Sequence, residues 1–462
     1  MKKCSYFLLL FFIMIICFRV DAQTIRVSTK ISSTQWFTDA RFGMFIHWDM
    51  SSLTGKEISW SRKATKPLDI TGDAAGYVED TAYDNLYKQF NPQKFDADAW
   101  VRLAKNAGMK YLVFTAKHHG GFCMWDTKMT DYSITHSPFK RDVVKELATA
   151  CHKAGLKFGI YYSPRDWHQP DYGIGDNKKY LSYMNEGLKE LLTNYGKIDI
   201  LWWDSYGHGN LQTFWGISKT FELVKKLQPA IIMNNRLAIL GDYNQQPAPY
   251  IGDWDTPEQR LGEFQNTRPW ESCMTLVDTP DGGGWSFRPD GKLRSFKECI
   301  RSLVSCASGD GNLLLDAGPN ASGEIPSDQS LRLLEMGNWL KKYGQSIYNT
   351  RGGPYLNGNW GGSTYRGKKI YLHVINWNGN QLILPALKAN IMKCTNFTNP
   401  LNKVTFQQHH KNLAIFLEKN KQDNTDTIIE LELNGNAVNE LNSSQPIKVL
   451  ELNKNKKMFV LN

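Results

Sequence analysis

The chain has 462 residues, 41% apolar and 22% charged, an ordinary globular composition that excludes a disordered or fibrous chain. Its formal charge of +10 comes from scattered lysines with no run of five basic residues, so no nucleic-acid partner is expected.

Residues 1–22 read as a secretory signal: Lys2 and Lys3, the apolar run "YFLLLFFIMIICF", then "VDA" before Gln23. The mature protein is therefore expected to be exported, periplasmic or secreted. Ile16 before Cys17 argues against lipid anchoring, and no later stretch has the roughly 20 apolar residues of a membrane span. Removing this segment lowers the formal charge to +8, because it carries Lys2, Lys3, Arg19 and Asp21. Six cysteines remain without metal-type spacing, and free, buried thiols are the expected outcome.

Between about residues 36 and 345 apolar runs of strand length alternate with amphipathic helical patterns. In chain order they are "FGMFIHWDM" (42–50), a helix over 97–108, "KYLVFTAKHH" (110–119), a helix over 141–155 and "KFGIYYSPRDW" (157–167). A helix near 177–195, "IDILWWDS" (198–205), a helix near 211–227, "AIIMNNR" (230–236) and "WESCMTL" (270–276) follow. A helix near 295–307, "GNLLLDAGP" (311–319) and a helix near 327–343 close the series. Near-continuous apolar strands alternating with helices predict a parallel sheet covered by helices. About eight strands over this length favour an α/β (β/α)8 TIM-like barrel over 23–346 rather than an open doubly wound sheet. No Gly-rich phosphate loop follows the first strand. From 347 to 462 short strands separated by Asn, Gly and Lys turns predict a C-terminal antiparallel β-sandwich with an accessory role.

Barrel enzymes place their chemistry at the C-terminal ends of the strands. Here those ends carry His47-Trp48-Asp49, Lys117-His118-His119, Tyr161-Tyr162-Ser163, Trp202-Trp203-Asp204 and Asn234-Asn235-Arg236, five polar groups converging on one mouth. A metal site is not expected, because His118 and His119 are adjacent on a strand and begin on opposite faces, and carboxylates at ligand spacing are missing. No G-x-S-x-G elbow supports serine catalysis. Aromatic faces, His and Arg donors and two carboxyls are what a sugar site needs, and no cofactor is implied.

The strings "WFTDARFGMFIHWD", "FNPQKFDADAWVRLAKNAGMKYLVFTAKHHGGFCMWDT", "DVVKELATACHKAGLKFGIYYSPRDW", "IDILWWDS" and "NLLLDAGP" closely resemble the glycoside hydrolase family 29 α-L-fucosidases, over roughly residues 34–345. The resemblance implies a retaining exo-glycosidase acting on a fucosylated oligosaccharide or glycoconjugate, with Asp204 as nucleophile. It implies substrate contacts from His47, Trp60, His118, His119, Tyr162, Trp202 and Arg236. Two residues compete for the acid/base, Glu258 in "GDWDTPEQ" and Glu271 in "RPWESC". Glu258 is favoured, since its loop resembles the family's acid-bearing loop and would let it sit against apolar surface; Glu271 is then a ligand or a structural carboxylate. Departures from the family pattern are Gly120 in place of Asp, Asp49 in place of Gly, and "GGGWSFRPD" (282–290) in place of a shorter string. None removes the nucleophile, but near the sugar's rim they could change linkage preference or the accepted sugar; the alternative readings are a related retaining glycosidase acting on a galactoside or another L-sugar, and a catalytically inactive carbohydrate-binding relative.

Overall fold

The computed structural model describes residues 34–63, 78–204, 214–237, 252–441 and 446–449; the signal segment expected over 1–22 lies outside them. A short helix, α1 (34–40), leads into β1 (Phe42–Ile46). Then follow α2 (Asp80–Asp84), α3 (Ala97–Asn106), β2 (Tyr111–Lys117), α4 (Val143–Ala154), β3 (Lys157–Tyr162), α5 (Lys178–Asn194), β4 (Ile200–Trp203), α6 (Ile217–Leu227) and β5 (Ile232–Met233). The second half holds β6 (Glu271–Thr275), a small ribbon of β7 (Val277–Asp278) and β8 (Lys292–Leu293), α7 (Phe296–Ser308), β9 (Asn312–Ala317) and α8 (Ser327–Tyr343).

The helices form where capping and periodicity coincide. In α3, Asp96 accepts a hydrogen bond from the Ala99 N–H, and Ala97, Trp100, Val101 and Ala104 supply one buried stripe. In α7, Ser295 and Glu298 make a reciprocal capping box. Gly155 ends α4 at φ +68°, a left-handed conformation in which glycine has no Cβ to clash.

Seven strands pair in parallel in the order β5-β4-β3-β2-β1-β9-β6. The segment 252–259 closes this sheet into a barrel. On one side Asn234 bridges Trp254, and the Asp253 N–H reaches the Met233 carbonyl at 2.6 Å; on the other, Asp255 bridges Trp270 and Glu258 bridges Cys273, all in parallel. The ladder to β6 runs Asp255 N to Pro269 O, Glu271 N to Asp255 O, Cys273 N to Pro257 O and Gln259 N to Cys273 O. In that register the donor due next belongs to residue 257, a proline with no N–H, so the eighth strand is broken into separate bridges. Its sequence, "GDWDTPEQ", carries no apolar run, so of the eight strands expected only seven stand out by periodicity.

Side chains alternate between two cores. Phe45, Tyr111, Val113, Tyr161, Ile200, Trp202, Trp254 and Leu314 fill the barrel interior, with Phe37 packed among them. Phe42, Met44, Leu112, Phe114, Ile160, Tyr162, Leu201 and Trp203 face the helices. Beyond α8, a five-stranded and a three-stranded antiparallel sheet enclose a separate core that includes Trp360, Leu372, Leu384, Ile415 and Leu431. This sandwich is tied to the barrel through Arg301 on α7, which donates to the Asn424 and Thr425 carbonyls at 2.9 and 3.1 Å. All six cysteines from Cys123 to Cys394 are free thiols, five of them buried.

Gly252 opens the closing segment at φ +69°, and a Cβ there would stand 2.1 Å from the Asn234 carbonyl oxygen. Gly252→Ala is expected to cost about 2 kcal/mol or more by denaturant unfolding. An unchanged midpoint would show that 252–259 does not act as a barrel strand.

Candidate active site

One cavity of about 660 Å3 occupies the mouth of the barrel, lined at its base by Phe45, His47, Trp60, His118, His119, Tyr161, Arg165, Trp202, Asp204, Arg236, Glu258 and Cys273. Eight of the ten residues singled out in the sequence therefore meet here; Tyr162 and Glu271 do not.

Asp204 stands one residue beyond β4, on the inward side with Trp202. Tyr161 donates its hydroxyl to Asp204 Oδ2 at 2.6 Å, and His119 Nε2 lies 3.4 Å from the same oxygen. Arg236 Nη1 lies 3.2 Å from Asp204 Oδ1 and 2.7 Å from Glu258 Oε2. Because one nitrogen touches both oxygens, their separation cannot exceed the sum of those two distances, about 5.9 Å. Burial alone would raise the Asp204 pKa, but Arg236, the Tyr161 hydroxyl, His118 and Arg165 outweigh it and hold the carboxyl below the ordinary range. Arg236 is fixed in turn by Thr256, whose hydroxyl and carbonyl accept from Nε and Nη2 at 2.9 and 3.1 Å. Its guanidinium also lies over the Trp202 ring, 5.1 Å from the centroid.

Glu258 projects from the closing strand on the same side as Trp254 and Thr256. Its side chain is 37% exposed and paired with Arg236, so the apolar setting expected for it is replaced by an ion pair.

The three histidines are neutral donors and acceptors. Burial, the largest effect, pushes His47 down to about 3 and lowers His118 and His119 well below the usual range; in His119 the neighbouring Arg165 and Lys117 add to the shift. Each Nδ1 is occupied: His47 by Asp316 Oδ1 at 2.7 Å, His118 by Ser59 Oγ at 2.8 Å and His119 by Ser163 Oγ at 2.6 Å. Those bonds turn the Nε2 edges of the rings toward the cavity. His118 and His119 both line it, contrary to the alternation expected for adjacent strand residues. The reason is that β2 leaves its ladder at Lys117, after a register shift against β3 between Thr115 and Lys117. Lys117 is instead buried against Asp166, 3.3 Å away.

Tyr162 lies on the other face of β3. It packs in the helix-facing core beside Trp125 and Trp203, while the parallel register pairs Tyr161 with Trp202 and stacks their rings at 5.6 Å and 16°. Tyr161, not Tyr162, reaches the cavity. Glu271 sits at the base of β6, fully buried, where it accepts from the Tyr111 hydroxyl and, at 3.2 Å, from Trp202 Nε1. It supports the tryptophan from below and has no path to a substrate. Arg165, Ser59 and Asp316 were not singled out in the sequence, and Tyr161 and Ser163 were placed at the mouth without a role. Asp316 lies within "NLLLDAGP" and Ser163 within "YYS", but only pairing with the histidines reveals their part.

The two departures near β1 and β2 are structural. Asp49 caps a short 3-10 helix by accepting from the Ser51 N–H at 2.7 Å, and burial raises its pKa to about 6. The Gly120 N–H donates to Ser59 Oγ at 2.7 Å, and a Cβ at 120 would come 3.0 Å from that oxygen.

Among the described residues, one grouping brings three potential metal-ligand atoms within 4.8 Å: His118, His119 and Asp204. The Arg236 guanidinium already neutralises Asp204 there, and a second cation would be repelled. Neutral imidazoles, the guanidiniums of Arg165 and Arg236, the carboxyls of Asp204 and Glu258 and the Trp202 face suit instead a ligand rich in hydroxyls with an apolar flank.

The comparisons agree with this chemistry. The family described as "Alpha-L-fucosidase" matches residues 21–345. The plasma alpha-L-fucosidase of Homo sapiens is 29% identical over 405 residues, 81% of this chain and 84% of that protein. The structure of alpha-L-fucosidase isoenzyme 1 from Paenibacillus thiaminolyticus aligns at a TM-score of 0.75 with 32% identity, covering 87% of this chain and 99% of the other. A Bacteroides thetaiotaomicron GH29 alpha-L-fucosidase, trapped as a covalent intermediate with 2-fluoro-fucosyl fluoride, aligns at 0.76 with 26% identity, covering 87% and 96%.

Burial raises Glu271 from 4.5 to about 7, against the opposing hydrogen bonds from Tyr111 and Trp202. The unfolded chain loses this proton near 4.5 and the folded chain holds it to about 7, so stability declines between those values and then levels, by about 3 kcal/mol in all. Glu271→Gln removes that decline. Its Tm relative to the parent should rise from pH 5 to pH 8; a pH-independent difference would refute the assignment.

Proposed function

The chain belongs to the alpha-L-fucosidase family and is a glycoside hydrolase, and on that premise we propose that it removes terminal α-L-fucosyl residues from glycans by double displacement, with Asp204 as nucleophile and Glu258 as general acid and base. The observation carrying this reading is the single Arg236 nitrogen shared by the two carboxyls, which bounds their oxygens at about 5.9 Å. Retaining glycosidases hold their carboxyls about 5–5.5 Å apart, whereas inverting ones leave about 6.5–9.5 Å for a water. The trapped covalent intermediate of the Bacteroides thetaiotaomicron relative supports the same course.

In this reading Asp204 attacks the anomeric carbon while Glu258 delivers its proton to the departing oxygen. Glu258 then takes a proton from the water that cleaves the fucosyl ester, and Asp204 leaves as a carboxylate. Arg236, Tyr161 and His119 hold Asp204 ionised and oriented before attack. The imidazoles of His47, His118 and His119 exchange hydrogen bonds with the sugar hydroxyls, and Trp202 and Trp60 supply apolar faces. The reading also has the protein exported, on the composition of residues 1–22. Among the described residues no helix is long and apolar enough to cross a membrane.

Asp204→Ala should lower kcat on 4-nitrophenyl α-L-fucoside by about three orders of magnitude or more with the fold intact. NMR of the first-formed sugar should detect α-L-fucose; β-L-fucose at early times would exclude retention.

Tyr161→Phe removes a hydrogen bond that favours ionised Asp204. Its kcat/KM should fall about tenfold or more, and the acid limb of its pH profile should move to higher pH because the nucleophile then needs less acid to become protonated. Tyr162→Phe should leave both the rate and the limb in place. Equal effects from the two variants would contradict the assignment of Tyr161 to the cavity.

A further inference from the structure

The cavity is not used up by its base. Its outer wall is the tip of the β7–β8 ribbon, with Pro280, Asp281, Gly282, Gly283, Arg288 and Asp290 lining the same space as Asp204 and Glu258. This is the stretch that contains "GGGWSFRPD".

The tip is built as a rigid wall. The buried Glu57 carboxylate accepts from the Gly284 and Ser286 N–H groups at 2.6 and 3.0 Å and from the Ser286 hydroxyl at 3.2 Å. Ser286 Oγ in turn accepts from the Ile58 N–H at 2.9 Å, so the tip is bonded to the segment after β1 at several points. Gly284 lies at φ +100°, and a Cβ on Gly283 would stand 2.4 Å from Glu57 Oε2, so the glycines permit this contact. From the same tip, Trp285 reaches inward to pack 5.0 Å from the His47 ring. Floor and wall are therefore one mechanical unit.

The polar groups of the wall are preset. Arg288, with a 4% exposed side chain, holds Asp281 Oδ2 at 2.8 Å and both oxygens of Asp290 at 2.9 Å. Both carboxylates remain about half exposed, 46% and 49%, although Asp281 Oδ1 also accepts from the Thr279 hydroxyl and, at 3.3 Å, from the Gly283 N–H. Arg288 holds Asp290 below the ordinary carboxylate range; Asp281 is lowered too, since the Thr279 hydroxyl and Arg288 outweigh its burial. Two fixed, charged acceptors beside an open cavity match the vicinal hydroxyls of a carbohydrate and give nothing to a flat aryl group.

We propose that the 279–291 tip is a binding site for the sugar on the leaving side of the scissile bond, with Asp281 and Asp290 accepting hydrogen bonds from its hydroxyls, so that the preferred substrate is a fucosylated oligosaccharide rather than a simple fucoside. The inference rests on the fucosidase reading and adds to it the residues that would select the sugar on the leaving side.

The test compares kcat/KM on 4-nitrophenyl α-L-fucoside with that on 2′- and 3-fucosyllactose. Asp281→Ala and Asp290→Ala should each lose about tenfold more on the better fucosyllactose than on the nitrophenyl substrate. In the parent protein, lactose should inhibit nitrophenyl fucoside hydrolysis, and this needs no variant to fold. Equal losses on both substrates, together with no inhibition by lactose, would overturn the proposal. A parent protein inactive on all three fucosides would instead overturn the fucosidase reading, so the two failures are distinguishable.

Discussion

The guanidinium of Arg236 sits between two carboxyls, 3.2 Å from one and 2.7 Å from the other through the same nitrogen, and the rest of the cavity is arranged around it. Two carboxylates this close repel each other in a largely buried space, and a shared cation relieves that repulsion. The cation itself needs support, since a buried guanidinium must have partners for its donors. Thr256 supplies two, and Trp202 lies beneath its plane. Removing the guanidinium would leave a buried carboxylate uncompensated, a loss that commonly costs about 3–5 kcal/mol.

That arrangement requires a closed barrel. Arg236 follows β5, Thr256 and Glu258 lie on the closing segment, and Asp204 follows β4, so the ion triad spans neighbouring staves. If 252–259 were detached from β5, Thr256 would no longer hold Arg236. The Pro257 gap in the ladder weakens pairing to β6 by one hydrogen bond, yet the flanking bonds at Asp255, Cys273 and Gln259 keep the register. The terminal stave thus carries the Glu258 carboxyl on backbone that is fixed but irregular.

Around the triad, Arg165 adds one more charge and the three histidines supply neutral polarity. Three histidines pushed well below their usual pKa can exchange hydrogen bonds with hydroxyls without adding positive charge that would pair with Asp204. Their partners Asp316, Ser59 and Ser163 come from three different segments. Beneath them Glu271 and Tyr111 brace Trp202. The outer wall is held by Glu57 and Arg288, and it is joined to the base through Trp285 against His47 and through the bonds of Ser286 to Glu57 and Ile58.

The sequence by itself determined the layer architecture and the polarity of the mouth, because both depend on local signals. Period-3.6 stripes such as that of α3, caps such as Asp96 and apolar runs such as "NLLLDA" specify helices and buried strands wherever they occur. Strand-end residues His47, Asp204 and Arg236 converge once the strands are parallel. Tertiary structure alone decided which neighbour faces inward. Tyr161 and Tyr162 are chemically identical, and only the pairing of Tyr161 with Trp202 across β3 and β4 puts one into the cavity and the other behind it. The same holds for Glu258 and Glu271: both precede or enter an apolar run, but depth along the barrel axis exposes the first and buries the second. His118 and His119 share the cavity because a register shift ends the alternation that a regular strand imposes. Register, depth and ladder breaks are set by contacts between segments far apart in the chain, and no local pattern carries them.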